Sequence, residues 1–214
     1  CCLFVLGCGS RVNQPRRMGA ILPLSGGLAK LGDQIRKGIE LGIEEKNEEL
    51  YQEGNYYEIV YEDSGGSIIN AKNSFSKMKK SGINIVIGPA TSSILLELSA
   101  LMNTSDMLLL SPTSSGIDIP ESNKNIFRMA PSDASQTLKI AELCKKEGYS
   151  RITALYINDP YGRGLKNYFV NAMNDIPGLE ITEYALPEEE EEMEEVLSAA
   201  EQSEPDAVYL VAYY

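Results

Sequence analysis

From residue 18 onward, short apolar runs alternate with stretches in which apolar side chains return every third or fourth position. The first run, Met18 to Leu22, predicts a strand that Pro23 and the turn Ser25, Gly26, Gly27 break off. Behind it Ile35, Ile39 and Ile43 fall at i, i+4 and i+8, one face of a helix, with Gly38 and Gly42 expected to flatten that helix for close packing. Tyr57 to Glu62 alternates as a strand that ends at Asp63, Ser64, Gly65 and Gly66, and the helix after it presents Ala71, Phe75 and Met78. Ile83 to Ile87 is apolar but for Asn84; the loop Gly88 to Ser93 follows, then a helix carrying Ile94, Leu98, Leu101 and Met102. Met107 to Leu110 repeats the pattern and ends at Thr113, Ser114 and Ser115. Strands and helices in strict alternation predict an α/β fold with parallel sheets and crossover helices.

A short strand, Ile126 to Arg128, leads through Ala130 and Asp133 into a second unit that restarts the period. A helix there bears Leu138, Ala141 and Cys144, and the strand Ile152 to Ile157 follows. After the loop Asn158 to Gly162, a helix places Leu165, Tyr168, Phe169, Ala172 and Met173 on one face. This weak internal repeat predicts two Rossmann-like lobes: residues 18–131, and residues 132–214 as an incomplete second lobe. The run Ala207 to Ala212 reads as a buried strand with nothing after it to cover it, so the chain is expected to be a C-terminally truncated part of a longer protein.

Composition narrows the chemistry. The chain has 214 residues, 43% of them apolar, enough to supply buried cores. Its formal charge of -12 offers no basic surface to a phosphate backbone, so nucleic acid is not an expected partner. Seven glutamates between Glu188 and Glu195 make much of that charge local; with Pro187 in the first turn and Met193, Val196, Leu197 and Ala200 behind them, they predict a solvated helix face rather than a metal site. Histidine is absent, which removes the commonest general base and the commonest zinc ligand. No metal, no cofactor and no catalytic residue is expected, and the chain is not read as an enzyme.

The opening Cys1 to Cys8 is too short to span a bilayer and reads as the tail of a signal peptide. Val5-Leu6-Gly7-Cys8 resembles the bacterial lipobox, which implies lipidation of Cys8, a polar tether up to residue 17 and anchorage at the outer side of the cytoplasmic membrane. Cys144, on a helical apolar face, reads as core.

In open parallel sheets ligands lie beyond the carboxyl ends of the strands. Here those ends carry Ser25, Gly26 and Gly27; Ser64, Gly65 and Gly66; Thr91, Ser92 and Ser93; Thr113, Ser114 and Ser115, a small, hydroxylic and uncharged rim. Ser92 and Ser93 also stand where a helix begins, which favours an anion such as a carboxylate, although serine and threonine are equally good helix caps. Gly27 and Gly32 have phosphate-loop spacing, but Asp33 and Gln34 stand where Lys and Ser/Thr are required. The rim predicts binding without catalysis.

Taken in order, Ala20-Ile21-Leu22-Pro23-Leu24-Ser25-Gly26, Ile87-Gly88-Pro89-Ala90-Thr91-Ser92-Ser93, Leu110-Ser111-Pro112-Thr113-Ser114-Ser115, Phe127-Arg128-Met129-Ala130-Pro131-Ser132-Asp133 and Asp159-Pro160-Tyr161-Gly162-Arg163-Gly164 resemble type I periplasmic binding proteins, with the leucine/isoleucine/valine-binding proteins of ABC importers as the closest branch. The resemblance implies two hinged lobes that close on a small amino acid, aliphatic or branched-chain, and a permease partner. It implies that Ser92 and the loop of Thr113 and Ser115 hold carboxylate and ammonium, that Tyr161 closes from the second lobe, that Tyr213 matches an aromatic at the same crest, and that Leu31 occupies a position some members give to an aromatic. The family's ammonium-pairing acid would fall beyond Tyr214. Relatives that act as sensors or as regulators of cell-wall synthesis leave a second function open on the same fold.

Overall fold

The computed structural model describes residues 15–50, 55–102, 105–119, 123–187 and 189–213. Cys8 and residues 9–14 of the expected tether lie outside the described residues, whereas residues 15–17, also expected in the tether, belong to the first strand instead. The first lobe runs β1 (Pro15–Leu22), α1 (Ala29–Leu50), β2 (Tyr56–Asp63), α2 (Ile68–Lys80), β3 (Ile85–Ile87), α3 (Ser92–Met102), β4 (Leu108–Ser111) and β5 (Ile126–Arg128). The second runs α4 (Ala134–Glu147), β6 (Arg151–Ile157), α5 (Pro160–Met173), β7 (Glu180–Leu186), α6 (Glu190–Gln202) and β8 (Ala207–Val211). Every pairing is parallel, in the orders β2-β1-β3-β4-β5 and β7-β6-β8.

Those orders position the site. In the first sheet the chain leaves β1 for β2 on one side and returns to β3 on the other; in the second, β6 is flanked by β7 and β8 in the same way. Crevices open where the strand order reverses, because the loops there diverge to opposite faces of the sheet. The loops after β1, β3, β6 and β8 therefore share one end of the molecule.

Ile21, Val86 and Leu109, fully buried at the centre of the first sheet, pack against Phe75 and Met78 of α2 and Ile94, Leu95, Leu98 and Met102 of α3. In the second lobe Leu165, Phe169 and Met173 of α5 meet Ala141 and Cys144 of α4, and Phe169 stacks on Tyr209 of β8 with ring centroids 4.2 Å apart. Cys144 lies in this core.

Several expectations shift. β1 starts at Pro15, three residues earlier than its apolar run, because Arg17 pairs in register with Glu58 of β2 and their side chains form an ion pair at 3.1 Å. Gly38 and Gly42 are not packing glycines: a β-carbon at either would meet nothing within 4 Å, and Ile35, Ile39 and Ile43 are only half-buried. On α4, Ala141 and Cys144 are buried as expected, but Thr137 completes the buried face in place of Leu138, which is 42% exposed. β7 was not foreseen; Glu180 and Glu183 interrupt its alternation, and no residue of this edge strand is fully buried. The acidic run leads into α6 as expected, but Pro187 precedes the helix rather than filling its first turn, and Leu197 is exposed.

Candidate functional site

The reversal points of the two sheets frame a cavity of about 700 Å³. Leu31, Ser92, Thr113, Ser115, Tyr161 and Tyr213, the six residues singled out from sequence, all contribute to its wall. Leu31 sits in the first turn of α1, Ser92 opens α3, Thr113 and Ser115 follow β4, Tyr161 opens α5 and Tyr213 follows β8.

A hydroxyl has one proton and two lone pairs, so the partners it already has determine what it can still offer. The Ser92 Oγ accepts from the backbone N–H of Ser115 at 3.2 Å and of Gly116 at 2.9 Å. Both lone pairs are engaged, and its proton is free to be donated. Gly116 makes this approach possible, since a β-carbon there would lie 2.8 Å from the Ser92 Cβ. The other hydroxyls are committed in the opposite sense. Thr113 Oγ1 donates to the Ala90 carbonyl at 2.6 Å, Ser115 Oγ donates to Asp133 Oδ2 at 2.6 Å, and the Tyr161 hydroxyl donates to the same oxygen at 3.1 Å. Their protons are used, and each oxygen retains acceptor capacity. The first turn of α3, whose backbone N–H groups lack intrahelical acceptors, adds to the donor side.

Two carboxylates correct the expectation of an uncharged rim. Asp133, at the N-terminus of α4, accepts from Ser115 and Tyr161. Asp159, the N-cap of α5, accepts from Ser93 Oγ at 2.7 Å and from the Tyr213 hydroxyl at 3.2 Å. Each bridges a serine of the first lobe to a tyrosine of the second. The effect on the phenols is consistent: withdrawal from water, reinforced by Asp133, pushes the Tyr161 hydroxyl well above its ordinary pKa, and withdrawal from water with Asp159 does the same for Tyr213. Both tyrosines are neutral donors, and their rings stack with centroids 5.3 Å apart and planes 14° from parallel.

Sequence reasoning placed Ser93 on the rim as an anion-favouring position rather than as a partner of a carboxylate, and it missed Asp133 and Asp159 as site residues. Asp159 carried a local signal, an Asp directly before a Pro at the start of an apolar helical period. Lys30 and Gln34, one helical turn apart on α1, also reach the cavity beside Leu31. The described residues contain no cluster of three or more metal-ligating side chains, and no described helix is long and apolar enough to cross a membrane.

The family model described as periplasmic binding protein matches residues 15–213. A Leu/Ile/Val-binding protein homolog of Brucella melitensis is 26% identical over 171 residues, covering 79% of this chain and 46% of its own. The leucine-binding protein LivK of Thermotoga maritima superposes with a TM-score of 0.78 at 24% identity, over 92% of this chain and 56% of its own. A solute-binding protein of Rhodopseudomonas palustris, solved with p-hydroxybenzoic acid, superposes with a TM-score of 0.79 at 16% identity, over 92% of this chain and 54% of its own. The chain spans about half the length of the relatives it matches.

Proposed function

This chain belongs to the periplasmic binding protein family, and from that premise we propose that it is the extracytoplasmic solute-binding component of an ABC importer, taking an aliphatic amino acid between its lobes. The observation that carries this reading is that the cavity wall offers both hydrogen-bonding senses. Ser92 retains a proton to donate, while Thr113, Ser115 and Tyr161 retain lone pairs. A zwitterion needs both, a donor for its carboxylate and acceptors for its ammonium. Asp133 lies behind two of the acceptors, and its negative charge favours a cation there. Leu31 offers an apolar contact to a side chain, and the names of the relatives point to leucine, isoleucine and valine.

On this reading residues 18–131 and 132–214 are the two lobes, Cys8 carries the lipid that holds the protein at the outer face of the cytoplasmic membrane, and the permease recognises the closed form. Closure is favoured by whatever contacts the solute makes with both lobes at once. On this reading the site binds the solute and releases it unaltered. Titration calorimetry with L-leucine, L-isoleucine and L-valine tests the proposal: saturable binding that Ser92→Ala weakens is expected, and no heat with any of the three would overturn it.

A further inference from the structure

Asp159 joins three separate pieces of the chain. Its Oδ1 accepts from the Gly162 N–H at 2.8 Å and so caps α5; its Oδ2 accepts from Ser93 Oγ at 2.7 Å and from the Tyr213 hydroxyl at 3.2 Å. Ser93 belongs to the first lobe, where it is buried in the first turn of α3, whereas α5 and Tyr213 belong to the second. One turn further along α5, Gly164 lies against the Asp118 carboxylate of the first-lobe loop so closely that a β-carbon would collide with Oδ2. The seam between α3 and α5 thus holds a charge-assisted hydrogen bond and a close contact that needs glycine.

We propose that Asp159 is a positioning residue that clasps the lobes together. Through Ser93 it holds the first lobe against the second, and through Tyr213 it keeps the stacked tyrosine pair over the cavity, which prolongs retention of a bound solute. An ionised acceptor makes these bonds stronger than hydroxyl-to-hydroxyl ones. Both bonds join the chain's own side chains and need no solute to form. The retention half rests on the solute-binding reading above; the lobe contact does not.

Two variants separate the clasp from the helix cap. Asp159→Ser keeps a good N-cap for α5 but withdraws the second carboxylate oxygen, and Ser93→Ala leaves the cap and the Tyr213 bond in place. Small-angle X-ray scattering of the free chain should show a larger radius of gyration in each variant, with the double variant no larger than either. With L-leucine as the probe, stopped-flow dissociation should accelerate about tenfold in both. Unchanged scattering in Ser93→Ala, or strictly additive effects in the double variant, would overturn the clasp and leave Asp159 a helix cap. Expansion in a chain whose parent form binds no leucine, isoleucine or valine would uphold the lobe contact, remove the retention half and count against the amino-acid reading itself.

Discussion

On the first lobe the crevice is lined by hydroxyls whose orientation the backbone dictates: Ser92 is held by two N–H groups and Thr113 by a carbonyl. On the second lobe it is lined by two stacked rings whose hydroxyls are tied to Asp133 and Asp159. The cores behind these walls differ as well. A five-stranded sheet with α2 and α3 packed on one face backs the hydroxyl wall. The tyrosine wall rests on three strands, where β8 buries Tyr209 and Val211 on one face and leaves Val208 and Leu210 54% and 60% exposed on the other. On the proposed reading, the polar recognition that must be exact in direction falls to the better-supported lobe, and the broad, forgiving contact surface to the lighter one.

The largest effects should come from the cores themselves. Phe169→Ala, which removes a fully buried ring and its stack on Tyr209, should lower stability by about 3–5 kcal/mol in urea unfolding; Leu98→Ala should cost about 2–5 kcal/mol in the first lobe. If the lighter lobe is the weaker one, Phe169→Ala will split unfolding into two phases while Leu98→Ala will not; the reverse result would invert the comparison. Next comes the wall chemistry. Ser92→Ala removes the free donor and also strands the N–H groups of Ser115 and Gly116, and should weaken L-leucine binding by about tenfold or more in calorimetry. Ser115→Ala removes one acceptor among several and should cost less; equal losses would show that direction on this wall does not matter.

A gain is expected at α1. Gly42→Ala sits in a helix interior with open space around it, so it should raise stability by roughly 0.5–1 kcal/mol, measured by the urea midpoint. The smallest effect is a pH dependence that each lobe contributes separately. In the first, the Ser25 hydroxyl and then the N–H groups of Gly65, Leu24 and Ser25 hold Asp63 below the usual 3.8; in the second, the N–H groups of Ser150 and Arg151 do the same for Asp206. The folded pKa is the lower one in both, so the stabilisation is complete above the ordinary carboxylate value and is lost as pH falls through the depressed one. Urea midpoints followed below pH 4 should decline, and Asp63→Asn should flatten the decline; an unchanged slope would show that the rim loop does not depend on the charge.

Much of the architecture was legible because it is periodic. The runs at Met18, Ile83, Met107 and Ile152 became β1, β3, β4 and β6 within three residues at each end, since a central parallel strand is a nearly continuous apolar run, with Asn84 and Thr153 as its polar interruptions here. β7 was illegible for the complementary reason: at a sheet edge no residue is fully buried, and Glu180 and Glu183 are tolerated where a central strand would exclude them. The site residues were visible as residue types at strand ends. Their hydrogen-bonding sense was not, because it depends on contacts such as Gly116 on Ser92, 24 residues apart, and Ser93 on Asp159, 66 residues apart. No local pattern records which proton is already committed.

On the amino-acid reading, a donor at Ser92, acceptors at Thr113, Ser115 and Tyr161 and an apolar contact at Leu31 have a geometric consequence. Three unlike points of attachment around one tetrahedral carbon define a handedness. An α-amino acid that satisfies the first two has its third substituent directed to one side only, and its mirror image must give up one of the three. If the proposed solute is an amino acid, enantiomer discrimination follows from the way the hydroxyls are tied down, before any detail of side-chain fit is considered.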